Sequence, residues 1–453
     1  MLAGLYTIIA ASMAGIVSFS SSVQTPAIKS IASTYHVSHL LATFAGSSAY
    51  LLGFGTGPFI FAPLSEHLGR RKVYCGTLLV FSLMQVACAL SPNVVTLAVF
   101  RFVAGFSGGP IVANTGGSIT DLWPPSQRSL PLALYTVACY CGPVLGPLLG
   151  GFLTQYASWH WNFWLVFILS GATYVIMILA LPETHVALDK GRSNDDGASL
   201  LKKADLRSGL IRPWKMLATE PILIALSTLM AFTYGVLFLD FSAYPLVFTQ
   251  ERGWSISISG LAFLGVGLGM VIATALSPLL DHQYARLLSS ASVDNLEPEI
   301  RLRHLIVVAW LLPASLFWFA WTALPPIHWI WPILSGAPFG FTLVVLFLGI
   351  NTYLTDCYAR FSASALAANT MLRSLFGASF ALFTTQLYDG LGTAWATSLL
   401  GFIALALAPM PLLLCKWGPW LRERSRFHQS AVAEIVLSSR VQDGDAVVIE
   451  PPK

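Results

Sequence analysis

The sequence predicts an all-α polytopic membrane protein with twelve transmembrane helices in two pseudo-symmetric six-helix bundles. Of its 453 residues, 55% are hydrophobic and only 10% are charged, whereas soluble domains carry about 25% charge. The mean hydropathy is +0.70, and the apolar runs continue for about twenty residues, the length that crosses a bilayer as a helix. A glycine pattern in the first half, LGFGTG, returns in the second half as LGVGLG, which indicates two related bundles around a central path.

Twelve apolar segments alternate with polar connections along the chain. We predict an N-terminal bundle over 1–181, a cytoplasmic linker over 182–216, a C-terminal bundle over 217–415 and a cytoplasmic tail over 416–453. The linker is predicted from its polar run KGRSNDDGASLLKKAD, and the tail from its low apolar content. The predicted helix cores are 2–22, 40–63, 73–91, 94–117, 131–154, 162–181, 218–246, 257–280, 304–323, 329–352, 365–387 and 394–415.

The cations are concentrated in every second connection. In one set of connections, the only Lys or Arg residues are Lys29 and Arg252. The other set contains the cations of the linker and tail together with Arg70, Arg71, Lys72, Arg128, Arg286, Arg301, Arg303 and Arg360. The positive-inside rule places the cation-rich set in the cytoplasm. Both termini are then predicted to be cytoplasmic.

A glycine-patterned apolar helix ends in charged residues in the stretch GFGTGPFIFAPLSEHLGRRK. Asp121 and Asp356 occupy corresponding places after the fourth and tenth spans. Exposed ion pairs contribute only about 0–1 kcal/mol each, so such pairs can break and reform in a switch. We predict a cytoplasmic gate, with ordinary surface charge as the alternative, formed by Glu66, Arg70, Arg71, Asp121, Arg128 and Asp356.

The fifth span contains the sequence GPVLGPLLGG. Gly142, Gly146 and Gly150 are four residues apart and so share one helix face. Small residues at this spacing let two helix backbones touch inside a bilayer, and Pro143 and Pro147 remove backbone donors and bend the helix. We predict a hinge here, and a packing seam without gating is the alternative.

Three charged residues are predicted to lie inside spans: Arg101 in the fourth, Asp240 in the seventh and Arg373 in the eleventh. A charge at such depth is costly and indicates function. We predict that all three take part in transport or proton coupling, and that Arg101 and Asp240 face one space. The alternatives are snorkelling for Arg101, a structural contact for Asp240 and packing for Arg373.

The sequence lacks the motifs of several other classes. It contains no G-x-x-x-x-G-K-[ST] phosphate loop, no H-E-x-x-H and no C-x-x-C, and no nucleophile–base set stands out. The six cysteines have no metal-type spacing. We therefore predict no enzymatic activity, cofactor or metal, and transport driven by an ion gradient or the substrate's own gradient.

These motifs together resemble the major facilitator superfamily, specifically its twelve-span fungal drug:proton antiporter group. The resemblance extends from the first span to about Phe427. In the first half it rests on Gly57-Pro58 through Arg70-Arg71, on Arg101 with Gly105, on GPVLGPLLGG and on Pro182-Glu183-Thr184. In the second half it rests on the stretches GWSISISGLAFLGVGLG, PEIRLRH and NTYLTDCYARFSASALAANTMLRSLFGASF. Trp159-His160-Trp161 replaces the family's W-R-W, and the first span has no acidic residue.

The resemblance implies the major facilitator fold, with spans 1, 4, 7 and 10 lining a cavity, and proton-coupled export of amphipathic drugs, toxins or secondary metabolites. It implies protons and the lipid bilayer as partners, no nucleic acid, and a monomer. We expect the plasma membrane, with the vacuolar membrane as the alternative. Polyamine or organic-cation transport and a non-transporting ligand sensor are the alternative functions. The predicted cavity side chains are Tyr135, Tyr234, Phe241, Tyr244 and Asn351.

Overall fold

The computed structural model describes residues 2–123, 129–180, 211–290, 298–358, 361–425 and 427. Ten helical segments within these ranges are long and apolar enough to cross a membrane. The last of them, Ser362–Arg424, contains two crossings, because Gly392 interrupts it with φ 73° and ψ 160°. A further long helix runs from His39 to Leu68. The prediction of an all-α membrane protein with twelve spans is therefore confirmed.

Six helices form the N-terminal half. In chain order they are α1 (Leu2–Ser22, continued by Ile28–Tyr35), α2 (His39–Thr43, the π-helical turn Phe44–Ser48 and Ala49–Leu68), α3 (Arg70–Ala89), α4 (Val94–Leu122), α5 (Ser129–Tyr156) and α6 (His160–Ala180). Helix α4 begins at a conventional N-cap, where the Asn93 side chain accepts the Thr96 backbone N–H at 2.9 Å.

Six further helices form the C-terminal half. They are α7 (Pro221–Pro245, continued in π-helical form by Leu246–Glu251), α8 (Ile256–Ser259, the 3₁₀ turn Gly260–Phe263 and Leu264–Ser290), α9 (Arg303–Ala309 and Leu311–Thr322), α10 (Ile330–Cys357), α11 (362–391) and α12 (393–407, continued by Met410–Arg424). Helix α7 is the most enclosed of the ten candidate spans, with 83% of the residues in its most apolar stretch buried.

The two ends of the molecule differ in charge, and we name them accordingly. The basic face is the end that carries Arg70, Arg71, Arg301 and Arg422, and the opposite face is the end that carries Lys29 and Arg252. Helix α1 begins at the basic face, where the Trp123 indole N–H at the end of α4 donates to Thr7 Oγ1 at 2.9 Å.

Glycines let α2 lie directly against α4. A Cβ atom added at Gly53 would meet the carbonyl oxygen of Phe102, and one added at Gly105 would meet the carbonyl oxygen of Tyr50. Lipid provides no hydrophobic drive for helices to associate, so close backbone contact of this kind is a main source of helix–helix affinity.

The second half repeats this contact between α8 and α10. A Cβ atom added at Gly265 would meet the carbonyl oxygen of Ile333, and one added at Gly269 would meet that of Ala337. The glycine repeat in the sequence therefore marks equivalent helix pairs in the two halves.

Most of the contact between the halves is made by two helix pairs, α2 with α11 and α5 with α8. The Ser48 hydroxyl of α2 donates to the Ala378 carbonyl of α11 at 2.7 Å. At the start of α8, the Ser257 backbone N–H donates to Gln155 Oε1 of α5 at 3.0 Å. Both of these hydrogen bonds lie towards the opposite face. Nearer the basic face, the Phe59 ring of α2 stacks on the Trp214 ring, with ring centres 5.6 Å apart.

The predicted linker and tail are described only in part. Most of the linker lies outside the described residues, but a short helix over 211–219 precedes α7, and Met216 at its centre is fully buried in the core of the C-terminal half. The helix Met410–Arg424 continues past the predicted end of the bundle at residue 415. The domain boundaries otherwise stay predictions.

The glycine contacts generate a matched test of packing. We expect Gly105→Ala to lower the thermal unfolding temperature of the purified protein, because the added methyl group meets the Tyr50 carbonyl and overpacking costs about 1–3 kcal/mol. The control is Gly76→Ala in α3, where nothing lies within 4 Å of the added atom. Equal unfolding temperatures for the two variants would contradict the packing argument.

Candidate functional site

A cavity lies between the two halves, near the middle of the helices. It contains about 50 Å³ of free volume, room for only a few water molecules. Helices α1, α2, α4 and α5 form one wall, and α7, α10 and α11 form the other. Its lining includes Ser18, Tyr135, Tyr140, Tyr234, Phe347 and Arg373. Both halves therefore contribute to one site.

Arg373 is the charged group of this cavity. Its side chain is only 7% exposed, and its guanidinium carbon lies 4.7 Å from the Tyr234 ring centre and 4.8 Å from that of Phe347. Nε has no hydrogen-bond partner, and no described residue forms an ion pair with the guanidinium. Cation–π contacts with two rings stabilise it, but its donors remain unused.

Aromatic and hydroxyl groups of α5 face Arg373. The Tyr135 hydroxyl donates to the Val112 carbonyl at 2.8 Å, and the Tyr140 hydroxyl is buried without a partner. Cys139 also lines the cavity, one turn after Tyr135 and one turn before Pro143. The sequence analysis named Tyr135 and Tyr234 but missed Cys139 and Tyr140, although the spacing of 135, 139 and 143 marks a single helix face.

Three of the predicted cavity side chains lie elsewhere. Phe241 and Tyr244 are buried in an aromatic cluster within the C-terminal half, where both rings pack on Phe263 at 5.2 and 4.6 Å. The Asn351 side chain accepts a hydrogen bond from Asn369 Nδ2 at 2.9 Å, joining α10 to α11. Aromatic composition alone could not separate cavity rings from packing rings.

Arg101 is fully buried inside the N-terminal half and does not line the cavity. Its Nε and Nη2 donate to the Gly46 carbonyl at 2.9 and 2.7 Å, and Nη2 also donates to the Ser20 carbonyl at 3.0 Å. Its guanidinium carbon lies 4.4 Å from the Tyr50 ring centre. Gly46 belongs to the π-helical turn of α2. Arg101 thus fastens α4 to α1 and α2 through main-chain acceptors.

Asp240 lies in α7, 4% exposed, and is not among the lining residues. No hydrogen bond or ion pair joins its carboxyl group to another described residue. Tyr244 and Tyr388 are near neighbours of Asp240, and the Tyr388 hydroxyl is 2.8 Å from Thr397 Oγ1. The structure therefore does not bring Asp240 and Arg101 to one space, because each is enclosed within its own half.

The glycine face of α5 packs against α1. Added Cβ atoms at Gly142, Gly146 and Gly150 would meet backbone or side-chain atoms of α1. Since Pro147 has no N–H, the carbonyl of Pro143 lacks its helical donor. The Ser22 hydroxyl of α1 donates to it instead, at 2.7 Å. The face is a close-packed seam, and the predicted hinge stays a prediction.

The predicted gate residues are described in part. Arg70 Nη1 donates to the Asn114 carbonyl at 3.1 Å, and Arg71 Nη2 to the Ile178 carbonyl at 3.2 Å. Asp356 forms an ion pair with Arg301, so its partner lies in its own half. The side chains of Glu66 and Asp121, and all of Arg128, lie outside the described residues.

Two further carboxylates at the basic face were missed by the sequence analysis. Glu299 forms a bidentate ion pair with Arg422, with both N–O distances at 2.8 Å. Glu220 accepts the Tyr358 hydroxyl at 3.0 Å, and burial raises the pKa of Tyr358, with the neighbouring Glu220 as a second cause, so this hydroxyl remains a donor. Arg422 and Glu299 are 123 residues apart, so no local motif signals the pair.

The architecture matches solved transporters. The proton:xylose symporter XylE aligns with a TM-score of 0.66 at 15% identity, covering 92% of this chain and 95% of XylE. The human organic anion transporter MFSD10 aligns with a TM-score of 0.61 at 17% identity, covering 90% of this chain and 99% of that one. The sequence itself matches the Major Facilitator Superfamily over residues 10–382. This chain belongs to the Major Facilitator Superfamily.

Several fungal relatives in the superfamily are named as efflux pumps or multidrug transporters. The MFS-type efflux pump MFS2 of Trichophyton rubrum is 42% identical over 429 residues, covering 91% of this chain and 72% of the relative. The efflux pump FUB11 of Gibberella moniliformis is 38% identical over 434 residues, with the same coverage. The multidrug transporter mdrA of Aspergillus fumigatus is 39% identical over 423 residues, covering 90% and 69%. The resemblance to the fungal efflux group is thereby confirmed.

Within this superfamily member, the described residues contain no group of three or more His, Cys, Asp or Glu side chains that could hold a metal ion. The cavity offers aromatic rings, hydroxyl groups and one cation. This arrangement suits reversible binding of a small molecule with apolar surface and a few polar groups.

The contacts of Arg101 predict a structural role that can be measured. We expect Arg101→Gln to lower the unfolding temperature by several degrees, because two buried carbonyl groups lose charge-assisted donors, each worth about 1.5–3 kcal/mol. Arg252→Gln is the control, since Arg252 caps α9 at the less buried opposite face. A fully stable Arg101→Gln variant without transport would instead support the direct role predicted from the sequence.

Proposed function

We propose that this transporter exports amphipathic small molecules by alternating access in exchange for protons. The observation that carries the proposal is the aromatic cavity between two related halves, with both halves in its lining. Relatives 38–42% identical are named efflux pumps, which supports export. Organic-cation transport is disfavoured because the charged side chain at the cavity is a cation, Arg373.

The contacts between the halves indicate on which side of the membrane the cavity is closed. The halves meet towards the opposite face, through Ser48 with Ala378 and through Gln155 with Ser257. The basic face carries the cation-rich connections, which the positive-inside rule assigns to the cytoplasm. We therefore propose that both termini are cytoplasmic, that the protein acts as a monomer in the plasma membrane, and that the structure is closed towards the outside.

Asp240 is the proposed proton carrier. A charged carboxylate at its depth is costly, so its protonation depends on whether water reaches it, and water access is what alternating access changes. Tyr388 lies near it, and the Tyr388 hydroxyl is 2.8 Å from Thr397 Oγ1, so we propose these two hydroxyl groups as the path of the proton. We also propose that Arg373 takes part in transport at the cavity and that the charged residues of the basic face form a gate.

Asp240→Asn tests proton coupling. In proteoliposomes with an imposed pH gradient and fluorescent amphipathic dyes, we expect the variant to lose gradient-driven accumulation, because the amide cannot carry a proton. Equilibrium exchange of the dye should continue. Asp389→Asn, which alters an exposed carboxylate one residue after Tyr388, is the matched control. Gradient-driven transport that survives in Asp240→Asn would remove Asp240 as the carrier.

A cross-link tests alternating access independently. An added Cβ at Gly151 of α5 would lie 3.5 Å from the Ser257 Cα of α8 and 2.9 Å from the Ile256 carbonyl oxygen, so a disulfide is within reach once the start of α8 shifts by a few tenths of an ångström. In a protein whose six native cysteines are replaced, we expect oxidised Gly151→Cys/Ser257→Cys to stop transport and a reductant to restore it. The single-cysteine variants should be insensitive to oxidation. Undiminished transport by fully cross-linked protein would exclude opening at this interface.

A further inference from the structure

The Arg373 side chain is a buried cation whose donors face a cavity rather than a protein acceptor. We propose that Arg373 binds the anionic end of the substrate, so that the compounds recognised by this cavity are amphipathic carboxylates. The inference rests on the proposed transport function and specifies its substrate class.

The contrast with Arg101 supports the assignment. Both arginines are more than nine-tenths buried, but Arg101 satisfies its donors with the carbonyl groups of Gly46 and Ser20. Arg373 has no such partner among the described residues, and its Nε is buried and unsatisfied. Burying an unpaired cation is costly. A guanidinium left in this state is a binding site for a group that supplies acceptors from outside the protein.

The surroundings of Arg373 favour a planar pair of acceptor oxygens. The Tyr140 hydroxyl is also buried without a partner, and its ring packs edge-on against Phe347 at 5.1 Å. Phe347 is one of the two rings that contact the guanidinium. A carboxylate accepts bidentate hydrogen bonds from guanidinium and has further lone pairs for a phenol donor.

The remaining lining selects the rest of the ligand. Tyr234, Leu237, Phe54 and Phe347 provide apolar and aromatic surface, which suits a hydrophobic body. Of the described residues that line the cavity, none is acidic, so a cationic ligand would meet Arg373 without compensation. The cavity therefore discriminates by charge as well as by apolar surface.

The test measures binding of matched probes to the purified full-length protein in lipid nanodiscs. Tritiated 2-naphthoate is the probe, and 2-naphthamide and 2-naphthylmethylammonium are competitors that keep the ring system and change the charge. We expect 2-naphthoate to bind at least about tenfold more tightly than either competitor, since charge-assisted bonds are about twice as strong as neutral ones.

Variants then connect this preference to one side chain. Arg373→Gln should lose the preference for the acid, while binding of the amide changes less than about twofold, and Arg373→Lys should retain part of it. Arg252→Gln, whose arginine donates to carbonyl groups of Ala323 and Thr322, should bind like wild type. Unfolding temperatures verify that each variant is folded.

Several results would overturn the inference: no 2-naphthoate binding by folded wild-type protein, equal competition by the three compounds, or an acid preference that persists in Arg373→Gln. Failure of the transport proposal is a different result. Binding of 2-naphthoate through Arg373, without gradient-driven movement of any compound, would support the anion site and refute proton-driven export. Gradient-driven dye transport without a preference for the acid would support proton-driven export and refute the anion site.

Discussion

The structure depends on direct backbone contact between helices in an environment that gives apolar side chains no reason to associate. Lipid is as apolar as leucine, so helix pairs are held by close packing and hydrogen bonds. Glycines provide that packing between α2 and α4 and between α8 and α10. The same proximity places the Gly46 and Ser20 carbonyl groups within reach of Arg101. Each half is therefore a tightly joined unit, and the space left between the units is the cavity.

Three intramembrane charges have three different environments, and this difference is why we propose different roles for them. Main-chain carbonyl groups satisfy Arg101, which makes it part of the framework of the N-terminal half. Asp240 is enclosed near tyrosine hydroxyl groups without an ion-pair partner. Arg373 contacts two aromatic rings and otherwise faces free volume. Depth in the membrane marks a charge as costly, but only its partners distinguish a structural charge from one that meets a ligand.

The fold could be predicted from the sequence because its signals are local: apolar runs set the spans, and repeated glycines set equivalent helix pairs. The site could be predicted only in part. Tyr135, Tyr234 and Arg373 line the cavity. Phe241 and Tyr244 are aromatic like the two tyrosines of the cavity, but they pack on Phe263 within the C-terminal half. Which face of a buried helix meets the cavity depends on its rotation against neighbours. The Glu299–Arg422 pair likewise depends on a long-range contact.

The contacts between the halves are of a kind that can separate. At Gly151 and Gly260, the backbones of α5 and α8 approach each other directly. The hydrogen bonds that join the halves contribute about 0.5–1.5 kcal/mol each, so breaking any one of them costs little free energy. A ligand shifts such an equilibrium only by its differential affinity for the two states. A substrate carboxylate that accepts hydrogen bonds from Arg373, as we propose, would contribute a charge-assisted interaction of similar size. Because the cavity has little free volume in this structure, the proposed function requires a substrate to part the two halves as it enters, which would tie its binding free energy to their motion.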